Sequence, residues 1–148
     1  AFASFTGLAR LERFAPALRG IDRRCDPMPA APTPMPVVSG ALMFMARRDF
    51  EALGGFDEGY FLHVEDIDLC RRAHEAGGAV IFTPHAGAFH VGASSKAPAR
   101  LVAWRKARGF HRYFRKFARS WPERAAADLA GAALCVLLPA RALLARRD

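Results

Sequence analysis

The sequence contains little cysteine, no long uninterrupted apolar run, and almost no acidic residues in its second half. Its three cysteines lie 45 and 65 residues apart, which excludes a disulfide scaffold and every CxxC-type metal site and fits a reducing cytoplasm. No apolar run reaches the ~18 residues of an unambiguous membrane-spanning helix. The chain begins at Ala1 without a signal segment, so we expect a fragment or a processed piece of a longer protein.

The charge that is present is unevenly divided. The 148 residues carry a net charge of +8, yet residues 1–75 hold 9 basic and 11 acidic side chains, whereas residues 76–148 hold 13 and 3. No acid lies between Glu75 and Glu123. Such a basic block is expected to meet phosphate on lipid headgroups, nucleic acid or a phosphorylated substrate. With 52% apolar residues, the length suits one folded domain.

Local patterns predict a succession of strands and helices. Five prolines within residues 27–36 predict an extended linker, because proline cannot join a helix or a central strand. The continuous apolar run Val37–Met45 predicts a buried strand. The remaining pattern predicts helices over residues 47–53, 65–76 and 98–121, strands over 79–83 and 86–91, and a second apolar stretch over 125–145.

The densest group of chemically active side chains is Glu65-Asp66-Ile67-Asp68, directly after a loop rich in glycine and aromatic residues. Carboxylates at a helix N-terminus are stabilised by its free N–H groups. Two interpretations are open: the acids cap a solvated first turn, or one of them is held ionised in a cleft as a general base. Asp66 and Asp68 also spell D-x-D, but helix positions i and i+2 lie ~200° apart and cannot chelate one ion.

The residues around these acids form a composite pattern. It consists of Gly54-Gly55-Phe56-Asp57-Glu58-Gly59-Tyr60-Phe61, the acidic run, Leu69-Cys70-Arg71-Arg72, and then Gly77, Pro84 and His90. In this order and spacing, over about residues 37–95, the chain resembles glycosyltransferase family 2, and more narrowly its rhamnosyltransferase-like branch. A lone Glu-Asp pair would carry no weight, whereas the composite pattern is highly specific.

This resemblance implies an α/β chain, the C-terminal part of a GT-A (Rossmann-like) domain, acting with a nucleotide-activated sugar donor. It implies that Asp66 is the general base that deprotonates the acceptor hydroxyl for in-line, inverting attack. Glu65 would bind the acceptor or raise the basicity of Asp66 through like-charge repulsion. The resemblance also implies acceptor contacts at Gly54, Gly55 and Asp57, although Asp57 could equally serve only to cap its turn.

The resemblance further implies a divalent metal ion on the sugar diphosphate, with His90 as a ligand. An imidazole suits Mn²⁺ and is a poorer ligand for Mg²⁺. The alternative is a histidine of the core or of a strand end. Residues 1–36 supply neither the nucleotide-binding strands nor the chelating D-x-D of the family. We therefore expect the acceptor-side part of the enzyme, without turnover of its own.

Three segments are predicted: a connecting segment with its proline-rich linker (1–36), the acceptor-side part of a GT-A domain (37–97), and a basic amphipathic helix followed by an apolar helix (98–148). The basic helix carries two stripes on opposite faces, Ala103, Ala107, Phe110, Phe114, Phe117 and Trp121 against Arg105, Arg108, Arg112, Arg115 and Arg119. Either this helix packs on the domain with solvated arginines, or it lies in a membrane interface with its aromatic side chains toward the acyl chains.

The apolar tail helps to decide whether the basic helix packs on the domain or lies in a membrane interface. Residues 129–140 carry no charge but are too few to span a bilayer, and Pro139 interrupts them, so they fit a monotopic or re-entrant attachment or a buried helix. We expect an enzyme at the cytoplasmic face of the bacterial inner membrane, with an anionic membrane surface and a glycan or polyprenyl-lipid-linked acceptor as partners, and no nucleic acid. The alternative is a non-catalytic basic module that binds a membrane surface or nucleic acid through residues 96–119.

Overall fold

A computed structural model describes residues 27–89 and 97–144. These residues divide into two compact units. Residues 27–59 and 65–89 form one, here called the carboxylate unit. Residues 60–64 and 97–144 form the other, here called the helical unit. Among the described residues the structure is mixed, with four helices and one small sheet. A mixed α/β character is therefore present, while the GT-A fold stays a prediction.

The sheet belongs to the carboxylate unit and has two antiparallel strands, β1 (Thr33–Pro34) and β2 (Ile81–Phe82). Thr33 pairs with Phe82 and Pro34 with Ile81. The pairing continues one residue further, since the Met35 N–H donates to the Val80 carbonyl at 2.9 Å. A proline is tolerated here because, in a two-stranded sheet, each strand is an edge.

Two helices of the carboxylate unit, α1 (Arg47–Ala52) and α2 (Glu65–Glu75), confirm two of the predicted helices within a few residues. Glycines end both of them. Gly54 and Gly55 adopt φ of 80° and 67° after α1, and Gly77 adopts 81° after α2, a region that L side chains rarely occupy. The buried face of α2 contributes Cys70 and Ala73 to a core that includes Val80 and is flanked by partly buried Val37, Val38, Met43 and Leu53.

The helical unit is built on α3 (Ala99–Phe117) and α4 (Trp121–Leu144). These helices pack antiparallel, since His111 lies against Gly131 while Arg115 reaches back to Asp128. Phe110 of α3 and Leu134 of α4 are fully buried. Within the described ranges, every helix is too short or too polar to cross a membrane.

Two strand predictions are wrong. Val37–Met45 contains no strand: the chain turns at residues 39–42, and the Gly40 N–H donates to the side chain of Asp66 and not to a neighbouring strand. Residues 86–89 are likewise irregular, and the last two residues of that predicted strand lie outside the described residues. Conversely, β1 forms inside the proline-rich segment that was expected to be only a linker.

The long predicted helix is divided. It ends at Phe117, Ala118 is extended at ψ 120°, and Trp121 begins α4. Phe110 is fully buried, and Phe114 and Phe117 are partly buried. The aromatic stripe of α3 therefore faces the interior of its own unit, as the packed-helix alternative predicts, and membrane attachment stays a prediction. Arg108, Arg112, Arg115 and Arg119 of the arginine stripe are exposed.

Candidate active site

Asp66 is a half-buried carboxylate in the first turn of α2, where the helix leaves its N–H groups without intrahelical acceptors. Its Oδ2 accepts a hydrogen bond from the Gly40 N–H at 3.0 Å, and its Oδ1 accepts one from the Ile67 N–H at 2.8 Å. Each carboxylate oxygen has two lone-pair sites. One acceptor position on each oxygen thus remains available while the side chain is held in place.

Gly40 is the residue that allows this approach. A Cβ at Gly40 would lie 3.3 Å from the Asp66 Cβ, which is tighter than ordinary packing, and 3.6 Å from its Oδ2, which is ordinary van der Waals contact. The turn is closed by the Leu42 N–H donating to the Ser39 carbonyl at 3.4 Å, and the Ala41 N–H donates to the Ser39 hydroxyl at 3.3 Å. The turn therefore positions the Asp66 carboxylate.

Glu65 precedes Asp66 and is also half-buried. Its Oε2 is buried and accepts no hydrogen bond from the described part of the protein. Burial of a carboxylate oxygen without a donor is unfavourable, so this atom is a place where a further hydrogen-bond donor would be stabilising.

Asp68 and Arg72 of α2 form an ion pair, whereas Asp66 binds the N–H groups of Gly40 and Ile67. The Asp68 side chain is wholly buried, and its Oδ2 lies 2.6 Å from the Arg72 Nε. Arg72 also donates to the Leu53 carbonyl and, at 2.7 Å, to the Gly55 carbonyl. One guanidinium thus ties the loop after α1 to α2.

Gly54, Gly55 and Asp57, the predicted acceptor-binding residues, lie in this tied loop. Gly55 packs closely on α1, since a Cβ there would lie 3.3 Å from the Phe50 ring, which itself meets Phe56 edge-on at 5.3 Å between centroids. Asp57 Oδ1 accepts a hydrogen bond from the Gly59 N–H at 2.9 Å. That bond is the turn-capping role left open by the sequence, and it does not decide whether Asp57 also binds an acceptor.

The predicted metal site is not assembled by the described residues. No three carboxylate, histidine or cysteine side chains within them lie close enough together to hold an ion. Asp66 binds Gly40 while Asp68 binds Arg72, so the two residues of the D-x-D string serve different partners, as helical geometry predicts. His90 lies outside the described residues. The described donors do not fit a divalent ion by themselves.

Cys70 is near these groups but is not a candidate nucleophile. Burial raises the pKa of its thiol, and its Sγ lies 3.9 Å from the Val38 carbonyl. A thiol held protonated in an apolar environment is inert. Cys70 therefore acts as a small core residue.

Sequence reasoning identified Asp66 and Glu65 as neighbours on one helix and the glycine loop beside them, but it missed the contributions of Arg72 and Gly40. The i, i+4 spacing of Asp68 and Arg72 is a signal for a helical ion pair that could have been used. The sequence contains no comparable signal for the two carbonyls that Arg72 also binds, 17 and 19 residues away.

Comparison with known proteins adds a partial similarity. No family model and no solved structure matches the chain. Over 61 residues, 40% of this chain and 20% of the relative, it is 39% identical to N-acetylglucosaminyl-diphospho-decaprenol L-rhamnosyltransferase of Mycobacterium tuberculosis (strain CDC 1551 / Oshkosh). Over 52 residues, 35% of this chain and 20% of the relative, it is 42% identical to rhamnosyltransferase WbbL of Escherichia coli (strain K12). The matched part thus spans about a fifth of each relative's length, and over that part the chain is similar to rhamnosyltransferases.

Proposed function

We propose that the chain is the acceptor-side part of an inverting glycosyltransferase of family 2 with a GT-A fold. In this proposal it takes part in moving rhamnose, or a related hexose, from a nucleotide-activated donor to a lipid-linked acceptor during cell-envelope glycan synthesis. The similarity to two rhamnosyltransferases supports the reaction class, and the name of one of them supports a polyprenyl-diphosphate acceptor. The observation that carries the proposal is the hydrogen bond from the Gly40 N–H to the Asp66 carboxylate.

The proposed reaction requires a base at the acceptor hydroxyl. An acceptor hydroxyl donates to the free acceptor position of Asp66 and transfers its proton there as its oxygen attacks the anomeric carbon. The bond from the anomeric carbon to the nucleoside diphosphate breaks, and the diphosphate leaves with that electron pair. The two backbone N–H groups on Asp66 fix its direction, and such orientation is worth orders of magnitude in rate.

Glu65 and the glycine loop complete the proposed acceptor side. An acceptor hydroxyl is a donor that would satisfy Glu65, whose Oε2 has none among the described residues. Arg72 holds the Gly55 carbonyl, so the loop has a fixed position relative to α2. A divalent metal with His90 as a ligand stays a prediction, and no step of this mechanism depends on it.

The experiment uses the full-length enzyme, nucleotide-activated rhamnose and a polyprenyl-diphosphate-linked N-acetylglucosamine acceptor. Asp66→Asn should lower kcat by at least ~100-fold, as loss of a general base does, while donor affinity measured by calorimetry stays within about twofold. Asp49→Asn is the matched control, because Asp49 is an exposed carboxylate on α1 paired with Arg48. Near-normal turnover in Asp66→Asn would overturn the assignment, as would an equal loss in the control.

A further inference from the structure

The outer face of α4 is exposed and wholly uncharged. Ten side chains at helical spacing form this surface, here called the α4 outer face: Pro122, Ala125, Ala126, Leu129, Ala132, Ala133, Val136, Leu137, Ala140 and Leu143. Leu129 and Val136 are 75% and 68% exposed. At 1.5 Å per residue the face is about 31 Å long. A contiguous apolar surface of this extent marks an interaction site in proteins.

The helix cannot cover this face by rotating inward, because its opposite side is already occupied. Ala127 and Leu134 are buried, and a Cβ at Gly131 would lie 2.5 Å from the His111 ring of α3. His111 and Arg115 both reach Asp128, at 2.7 and 3.4 Å. These contacts fix the rotation of α4, so the α4 outer face is the side the fold leaves available.

Basic side chains border the α4 outer face. Since His111 and Arg115 contact Asp128, this edge of α3 adjoins α4, and Arg108 lies on the same edge two turns before Arg115. Between residues 97 and 144 there are ten lysines and arginines against two acids. Both acids already have partners. Asp128 pairs with His111 and Arg115, and the Glu123 Oε2 accepts a hydrogen bond from the Arg119 N–H at 2.6 Å. The surroundings of the apolar face are therefore strongly cationic.

The two helices of the helical unit carry two exposed tryptophans, one on each helix. Trp121 begins α4 and is 80% exposed, while Trp104 lies on α3 with the Arg108 guanidinium 4.9 Å from its ring centroid. Indole side chains prefer the region between acyl chains and water, and arginines beside them meet lipid phosphates.

We propose that the α4 outer face docks on an anionic lipid bilayer, lying in the interface plane with the arginines of α3 at the headgroups. An uncharged face flanked by cations complements an apolar interior bordered by phosphates. A second copy of the chain fits less well, because it would bring an equally cationic unit against the first. This proposal is independent of the sugar-transfer reaction, and it assigns lipid contact to α4 instead of the aromatic stripe of α3.

The test uses the 148-residue chain and vesicles of phosphatidylcholine, either alone or mixed with phosphatidylglycerol. The chain should sediment with the mixed vesicles and weakly with the neutral ones. High salt should reduce the binding, because the Debye length falls to about 3 Å at 1 M. Trp104 and Trp121 are the only tryptophans in the sequence, so a blue shift of fluorescence and quenching by brominated lipid report on lipid contact of α3 and α4.

Two sets of variants separate the apolar and cationic parts. Leu129→Gln with Val136→Gln should lower the vesicle partition coefficient at least tenfold, with helix content unchanged by circular dichroism. The matched control is Phe44→Gln, a fully exposed aromatic residue of the carboxylate unit, which should bind normally. Arg108→Gln with Arg119→Gln should lower binding to mixed vesicles about tenfold, whereas Arg47→Gln with Arg48→Gln, which are also exposed but lie on α1, should not.

Three outcomes overturn the proposal. They are unchanged vesicle binding in the Leu129→Gln, Val136→Gln variant, equal binding to neutral and mixed vesicles, and absence of binding to either. If sedimentation velocity instead shows a dimer that this variant abolishes, the α4 outer face joins two copies of the chain and not a bilayer.

Discussion

Arg72 compensates the charge of Asp68 through an ion pair in which the Arg72 Nε lies 2.6 Å from the Asp68 Oδ2. Asp68 is the one acidic side chain among the described residues that is wholly buried. Truncation of one partner leaves a buried charge without compensation, which typically costs 3–5 kcal/mol. We therefore expect Arg72→Ala to lower the free energy of unfolding by about 3 kcal/mol or more, measured by urea denaturation. Arg72→Lys should lose less, since it keeps the charge but not the planar fork that also binds two carbonyls.

The neighbouring Arg71 provides the control for that prediction. It pairs with Glu75 at 3.1 Å, and both side chains are partly exposed to solvent. Pairs of this kind contribute roughly 0–1 kcal/mol. If Arg71→Ala and Arg72→Ala destabilise the protein equally, the buried pair does not hold the loop after α1.

The second prediction concerns the close packing of Gly40 against the Asp66 side chain. Gly40→Ala would place a methyl group 3.3 Å from the Asp66 Cβ and displace the carboxylate by a few tenths of an ångström. In the full-length enzyme we expect kcat to fall roughly 3- to 10-fold, with little change in KM, because small misplacements of a reacting group are costly. Steady-state kinetics with the lipid-linked acceptor measures both constants.

Gly87→Ala is the matched control for Gly40→Ala. It is a glycine of the same unit without a neighbouring atom within 4 Å of the added methyl, and its φ is not positive. We expect unchanged kcat and a stability that is equal or slightly higher, by up to about 1 kcal/mol. A loss of kcat in Gly87→Ala as large as in Gly40→Ala would show that the effect is not specific to Asp66.

The sequence predicted those parts of the fold that local chemistry determines. α1 and α2 were found because glycines end them and acids open α2. The strand predicted over Val37–Met45 failed because apolar content alone does not show where backbone hydrogen bonds go, and the Gly40 N–H goes to a side chain 26 residues away. The start of α4 was missed although Ser120 and Glu123 have the spacing of a capping box, and the Glu123 N–H does donate to the Ser120 hydroxyl at 3.4 Å.

The same distinction applies to the candidate site. Asp66 and Glu65 were predicted from a motif that is contiguous in the chain, and their catalytic roles stay predictions. Arg72 as a tie between loop and helix depends on two carbonyls brought near only by folding. The sequence left two alternatives for the aromatic stripe of α3, because helical periodicity separates two faces but does not say which one another helix covers.

The third prediction is a pH dependence in the helical unit. The hydrogen bond from His111, and then the charge of Arg115, hold the pKa of Asp128 below its ordinary value of 3.8. A carboxylate with a lowered folded pKa stabilises the fold fully above its unfolded pKa and loses that contribution as the pH falls through the folded pKa. Asp128→Asn should therefore be less stable than the parent at neutral pH, and the difference should shrink below about pH 4.

Urea denaturation at several pH values measures this difference, and a second variant assigns it. In a His111→Ala background, Asp128→Asn should have a smaller effect at neutral pH, because the two residues interact directly at 2.7 Å. A difference between parent and Asp128→Asn that stays constant from neutral pH to about pH 2 would contradict the prediction.

The fourth prediction concerns the close contact of α3 and α4 at Gly131. A Cβ there would lie 2.5 Å from Cγ and Cδ2 of His111 and 2.8 Å from its Cβ, so the conflict includes atoms that cannot swing away easily. Overpacking of this kind costs about 1–3 kcal/mol, whereas alanine in place of a helical glycine gains about 1 kcal/mol. We expect Gly131→Ala to lower the free energy of unfolding by roughly 1–2 kcal/mol, measured by denaturation with urea.

Removal of the His111 ring should reduce that effect. A His111→Ala background removes Cγ and Cδ2 of His111 but keeps its Cβ, 2.8 Å from the Cβ of an alanine at position 131. Gly131→Ala should therefore destabilise the protein less than in the parent, and the helix propensity of alanine, worth about 1 kcal/mol, offsets part of the remaining cost. The comparison is made within one background, so the separate cost of losing the bond from His111 to Asp128 cancels. If Gly131→Ala destabilises both backgrounds by the same amount, the close contact of the two helices at this point is not what requires glycine.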